Sequence, residues 1–138
     1  MNQLTRFGVS IESSLLESFD SYIKEHQYTN RSEALRDLIR ETLVKEEWSR
    51  DGQIVGGIAL VYDHHKRELV NTLIQLQHDY HDAVISSLHV HLNHDNCLEV
   101  LVVKGAVHHV RSLYNSLKAL KGVMHVSLIQ STFGDRLK

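Results

Sequence analysis

From Leu4 to Ile11 apolar and polar residues alternate, with Phe7, Val9 and Ile11 on one face and Arg6, Gly8 and Ser10 on the other. Neighbouring side chains of a strand point to opposite faces, so this pattern predicts a short, half-buried strand. The period then lengthens. Leu15, Leu16, Phe19, Tyr22 and Ile23 recur at helical spacing as far as Gln27-Tyr28-Thr29. A second helix opens at Asn30, with Glu33 in the capping-box position and Ala34, Leu35, Leu38, Ile39 and Leu43 following at helical spacing. A strand and two helices in so short a span bury too little apolar surface to fold alone, and a lone strand leaves its backbone groups unpaired. Pairing with the same strand of a second chain answers both needs.

Glu46 to Gly57 is polar and holds three of the seven glycines, which places a short hinge near Arg50-Asp51-Gly52 and divides the chain into residues 1–50 and 51–138. Beyond it come an apolar run (Ile54 to Tyr62), a helix over about 65–80 carrying Leu69, Leu73 and Leu76, a strand around His89 and a strand from Cys97 to Lys104. A further helix bears Val107, Val110, Leu113, Leu117 and Leu120, Gly122 suits its C-terminal stop, and Val123 to Gln130 closes as a strand. The second half therefore reads βαββαβ, the split βαβ arrangement of ferredoxin-like domains, and the class is α+β.

With 138 residues and 42% hydrophobic content the chain can bury a globular core. The net charge is -2, with 7 basic against 9 acidic residues up to Arg50 and 8 against 8 beyond it. Neither half has the positive excess that serves nonspecific nucleic-acid binding, so any DNA contact must rest on a few placed residues. One cysteine permits no intrachain disulfide, and a free thiolate ligand persists best in a reducing compartment. No segment approaches the roughly 18 apolar residues of a membrane span, and the N-terminus lacks a signal-peptide layout. These features point to a cytoplasmic protein with no membrane partner.

Seven of the eleven histidines and the cysteine fall between Asp63 and Cys97. Strand alternation projects His89 and His91 to one side, and Cys97 joins them only if the following strand pairs 91 with 97 and 89 with 99 across an odd-numbered turn. Two imidazoles and a thiolate suit zinc, copper, nickel or cobalt and disfavour calcium or magnesium. His78 and His81, one helical turn apart, either supply a fourth ligand or face solvent. The bland alternative is that the histidines are exposed sheet positions and Cys97 a small core residue.

The motifs Arg6-Phe7-Gly8-Val9-Ser10, Tyr28-Thr29-Asn30-Arg31-Ser32-Glu33-Ala34-Leu35-Arg36-Asp37, Tyr62-Asp63-His64-His65-Lys66-Arg67-Glu68-Leu69, Gln77-His78 and His89-Val90-His91 through Cys97-Leu98-Glu99 together resemble the nickel-responsive transcriptional regulators of the NikR family. The resemblance covers nearly the whole chain. It implies an N-terminal ribbon-helix-helix DNA-binding domain, formed as an intertwined dimer, and a C-terminal ACT-like nickel-binding and tetramerisation domain. It also implies square-planar Ni(II) on His89, His91 and Cys97 of one subunit and His78 of a neighbour, in a homotetramer built as a dimer of dimers. Tyr62, His64 and Glu99 then stand beside the metal. Glu33 and Asp37 match carboxylates that help hold a second hard cation, such as K+, between the domains in the DNA-bound form. Lys66 and Arg67 match phosphate contacts. Two departures stand out. Asp79-Tyr80-His81-Asp82 replaces a run of histidines, and Gly8 stands where a small hydroxyl residue is common.

A paired strand ribbon fits the major groove of double-stranded operator DNA with palindromic half-sites, where Arg6 and Ser10 can reach base edges and Arg favours guanine. Asn30 opens a helix whose free N–H groups can grip a phosphate. The rival readings are a small-molecule-responsive ACT regulator, a zinc enzyme with Glu99 as base, and a plain antitoxin-like repressor. The folded, histidine-rich second half argues against the antitoxin-like repressor, and against the enzyme stand the want of a carboxylate evidently committed as general base and a fourth position closed by His78, which would exclude water.

Overall fold

A computed structural model describes residues 3–138, and these group into two compact units, one of residues up to Leu43 with Gly134–Lys138, the other Val44–Phe133. In the first unit α1 spans Ser13–Glu25 and α2 begins at Arg31 and runs to Ser49. Gln27, at φ 59°, takes the left-handed conformation that breaks the helical path after α1. Asn30 Oδ1 accepts the Glu33 backbone N–H at 2.9 Å. The reciprocal half of the capping box is absent, because the Glu33 carboxylate pairs with Arg36. Arg31 grips Asp20 of α1 through Nε to Oδ1 at 2.9 Å and Nη2 to Oδ2 at 3.0 Å, a forked pair that fixes one helix against the other.

Residues 3–12 form neither strand nor helix within the single chain, where an alternating strand was expected. The reason is physical: a strand exists by its ladder of interstrand hydrogen bonds, and the described residues of this unit offer no second strand. Phe7 and Val9 are consequently left 71% and 63% exposed.

The second unit holds β1 (Gln53–Asp63), α3 (Arg67–Asp79), β2 (Val84–His91), β3 (Asn96–Ala106), α4 (Val107–Ala119) and β4 (Val123–Gln130). This is the expected βαββαβ order. The strands form one antiparallel sheet in the order β2-β3-β1-β4, so β2 is an edge strand and β3 and β1 are central. One sheet face packs Ile58, Leu60, Tyr62, Leu101 and Val103 against Leu69 and Leu73 of α3 and Val110, Leu113 and Leu117 of α4. The opposite face leaves Leu88, Val90, Val102 and Ile129 exposed.

Trp48, at the end of α2, belongs to this second core. Its indole Nε1 donates to the Ser131 carbonyl at 2.9 Å, and its ring lies over Gly56 so closely that a Cβ there would sit 2.7 Å from a ring carbon. That packing carries the compact unit back to Val44, ahead of the expected boundary near Arg50-Asp51-Gly52. No helix among the described residues is long and apolar enough to cross a membrane.

Candidate metal centre

The β2–β3 hairpin sets the geometry. His91 pairs with Cys97 and His89 with Glu99, the register that places all four side chains on one face. The intervening turn closes through the Leu92 N–H to the Asn96 carbonyl at 2.9 Å, while Asn93 Oδ1 accepts the N–H groups of Asp95 and Asn96 at 3.0 and 2.9 Å. Strand β1 extends both rows inward, with Tyr62 opposite Cys97 and Leu60 opposite Glu99. The rows therefore read His91–Cys97–Tyr62 and His89–Glu99–Leu60, running from the open sheet edge into the core.

Burial follows that direction. Cys97 and Glu99 are each 1% exposed, whereas the His89 side chain is 53% exposed. Glu99 is held from two sides, by Gln77 Nε2 of α3, which donates to Oε1 at 2.8 Å, and by His89 Nε2 against Oε2. Burial pushes the Glu99 carboxyl above its ordinary value, and the His89 charge and the hydrogen bonds from Gln77 and His89 oppose that push. The Tyr62 hydroxyl is also raised, first by burial, then by its hydrogen bond with Cys97 and the nearby Glu99 charge. His64 stacks on His91 with ring centroids 4.7 Å apart and planes 11° from parallel, and its Nε2 is buried without a hydrogen-bond partner.

His78 lies elsewhere. It sits exposed in the last turn of α3, its ring stacked on His81 at 6.0 Å. Among the described residues, the one set of three potential ligands whose atoms come within 4.8 Å of one another is His65, His94 and Asp95, not His89, His91 and Cys97. The fold thus brings His89, His91 and Cys97 to one face of the paired strands β2 and β3, with the His89 ring turned onto Glu99, and leaves His78 apart from them. Gln77 carried no assigned role from sequence, since its value depends on which face of α3 meets Glu99.

Of the residues predicted to meet DNA, Arg6, Gly8, Ser10 and Asn30 are exposed in the first unit. Lys66 and Arg67 open α3 and line a groove with Lys121 and Gly122, which adds a basic residue that sequence spacing did not single out. Glu33 pairs with Arg36, and Asp37 accepts the Tyr28 hydroxyl at 2.8 Å and an Arg40 N–H at 3.3 Å.

Residues 55–131 match the NikR C-terminal nickel-binding domain, and residues 5–46 match the ribbon-helix-helix proteins of the CopG family. The chain belongs to the family of nickel-responsive regulators. A nickel-responsive regulator of Syntrophus aciditrophicus is 52% identical over 97% of this chain and 98% of its own length. One from Chlorobium phaeobacteroides is 54% identical over 93% of this chain and 96% of its own. An uncharacterised protein of Thermotoga maritima shares the fold at a TM-score of 0.51 and 14% identity, over 56% of this regulator and 95% of that chain. Family membership makes this a transcription regulator rather than an enzyme.

Proposed function

We propose that this regulator is a DNA-binding repressor with Ni(II) as corepressor, acting as a cytoplasmic homotetramer on palindromic operator DNA. The reading is carried by the hairpin register, which aligns His91 with Cys97 and His89 beside Glu99 at the open edge of the sheet. The donor set of two imidazoles and a thiol fits a borderline ion, and an additional imidazole gives the four ligands that square-planar Ni(II) takes. His89, His91 and Cys97 would come from one chain and His78 from a neighbour. Bound nickel would supply a fixed cross-link between subunits.

Each neighbouring group has a task that the geometry supports. Glu99 holds the His89 ring, Gln77 holds Glu99, His64 braces the flat side of His91, and Tyr62 meets Cys97 from the core. Arg6 and Ser10 would read base edges from a ribbon completed by a second chain, with Gly8 making no side-chain contact. Asn30, Lys66 and Arg67 would hold phosphates, and Glu33 with Asp37 would offer oxygens to a hard cation such as K+ in the DNA-bound form. A metal that needs two subunits selects the arrangement of domains that supplies both, and so sets the spacing of the two ribbons.

The test is complementation between chains. His78→Ala and Cys97→Ala homotetramers should each lose tight nickel binding. Mixing them under verified subunit exchange should restore it at up to about half the sites, together with nickel-dependent DNA binding. A site built within one chain cannot recover, so no recovery would remove the shared site.

A further inference from the structure

A second group of donors stands outside the hairpin face. His65 follows β1 in the loop that leads to α3, and His94 and Asp95 occupy the turn between β2 and β3. These two loops, far apart in sequence, are tied by one backbone–backbone and one side-chain–backbone hydrogen bond. The His64 N–H donates to the Asp95 carbonyl at 3.0 Å, and His65 Nε2 donates to the His94 carbonyl at 2.8 Å. Each loop is also pinned internally, since Asp63 Oδ1 accepts the His65 N–H at 2.9 Å and Asn93 Oδ1 accepts the Asp95 N–H at 3.0 Å. Within this frame His94 Nδ1 lies 2.9 Å from Asp95 Oδ1, and His65 Nε2 lies 3.8 Å from the same oxygen.

We propose that His65, His94 and Asp95 form an accessory site for a divalent first-row transition ion, separate from the set of His78, His89, His91 and Cys97. Metal–nitrogen and metal–oxygen bonds of about 2.0–2.2 Å put two ligands ~3 Å apart at right angles and ~4 Å apart across the ion. The separations of 2.9 and 3.8 Å fall near these values, and seating an ion on His65 Nε2 requires that nitrogen to lose its proton and give up its hydrogen bond to the His94 carbonyl. Two imidazoles and one carboxylate favour nickel, copper or zinc over calcium or magnesium. All three side chains are exposed, which leaves the remaining positions to water and makes the ion quick to exchange and weaker than one held by a buried thiolate. An ion here would clamp the β1–α3 loop to the hairpin turn. His64, which stacks on His91, lies in the first of these loops and Cys97 is the second residue of β3 beyond the other, so the accessory ion would stiffen the surroundings of the hairpin residues.

The proposal does not depend on the other four residues being nickel ligands. The full-length protein is dialysed against Ni(II), and bound ions per chain are counted alongside the thiolate charge-transfer absorption. The variant His65→Ala/His94→Ala is expected to hold one ion per chain fewer than wild type and to keep the thiolate band. Cys97→Ala is expected to lose the band and keep the accessory ion. His108→Ala/His109→Ala, which removes two imidazoles of α4 elsewhere in the chain, is expected to match wild type. With one equivalent of Ni(II) bound first, added Cu(II) should give an electron paramagnetic resonance signal split by two nitrogens, absent in His65→Ala/His94→Ala. Equal ion counts for wild type and His65→Ala/His94→Ala, or loss of the same ion in His108→Ala/His109→Ala, would overturn the proposal. A thiolate band that survives Cys97→Ala would instead overturn the hairpin assignment and leave this site standing.

Discussion

Replacing Glu99 tests how far the edge imidazole depends on a buried carboxylate. In Glu99→Ala the Gln77 amide loses its acceptor and His89 loses the group that holds its ring. Leaving a buried donor unsatisfied costs about 1–3 kcal/mol. The lost methylene packing adds roughly 1 kcal/mol. Relief from burying a carboxylate works in the other direction, and a net loss of about 2–3 kcal/mol is expected. Glu99→Gln keeps an oxygen for Gln77 and most of the volume, so its loss should stay near 1 kcal/mol. Urea unfolding of the metal-free protein measures both. Nickel affinity supplies the functional half, because His89 is a proposed ligand and removing a group that orients a ligand histidine typically lowers affinity about 10–100-fold. If Glu99→Ala unfolded within about 0.5 kcal/mol of wild type, the range of an ordinary surface change, the carboxylate would not be the support described. Unchanged nickel affinity would separately refute its hold on His89.

Gly56→Ala would place a Cβ 2.2 Å from the Ile129 carbonyl oxygen and should cost more than about 2 kcal/mol in urea unfolding. Gly57→Ala meets first the end of the Ile129 side chain, at 3.2 Å, and should cost clearly less. Arg6→Ala should weaken binding to the cognate operator by roughly 1–3 kcal/mol and relax specificity at one base pair per half-site in competition assays. The Arg31 hydrogen bond holds the Asp20 carboxyl below its ordinary 3.8, so the pair's contribution is complete above that value and vanishes as pH falls through the lowered one. Asp20→Asn should remove that acid-side loss from the stability–pH curve.

Alternation made the hairpin legible in advance, because the requirement that His89, His91 and Cys97 share a face admits the pairing of 91 with 97 that the strands adopt. The element order was equally open to reading, since each helix carries a full apolar stripe. Three features were not. Trp48 lies in a polar stretch, and only the space above Gly56 reveals that it belongs to the second core. Gln77 acquires meaning once α3 is docked with that residue over Glu99. The neighbourhood of His65 and His94 depends on two loops meeting, and no periodicity spans loops. The N-terminal strand marks the opposite limit, where the pattern was plain and a single chain cannot fulfil it.

The bare flank of residues 3–12, with Phe7 and Val9 facing water, has a consequence for the living cell. On the proposed reading, an edge that exists only as a pair would make operator recognition second order in the number of chains. A newly made chain would be blind to DNA until it met another, and halving the copy number would cut competent dimers by more than half wherever pairing is incomplete. The gene's dosage would then set the threshold of the response alongside the supply of metal.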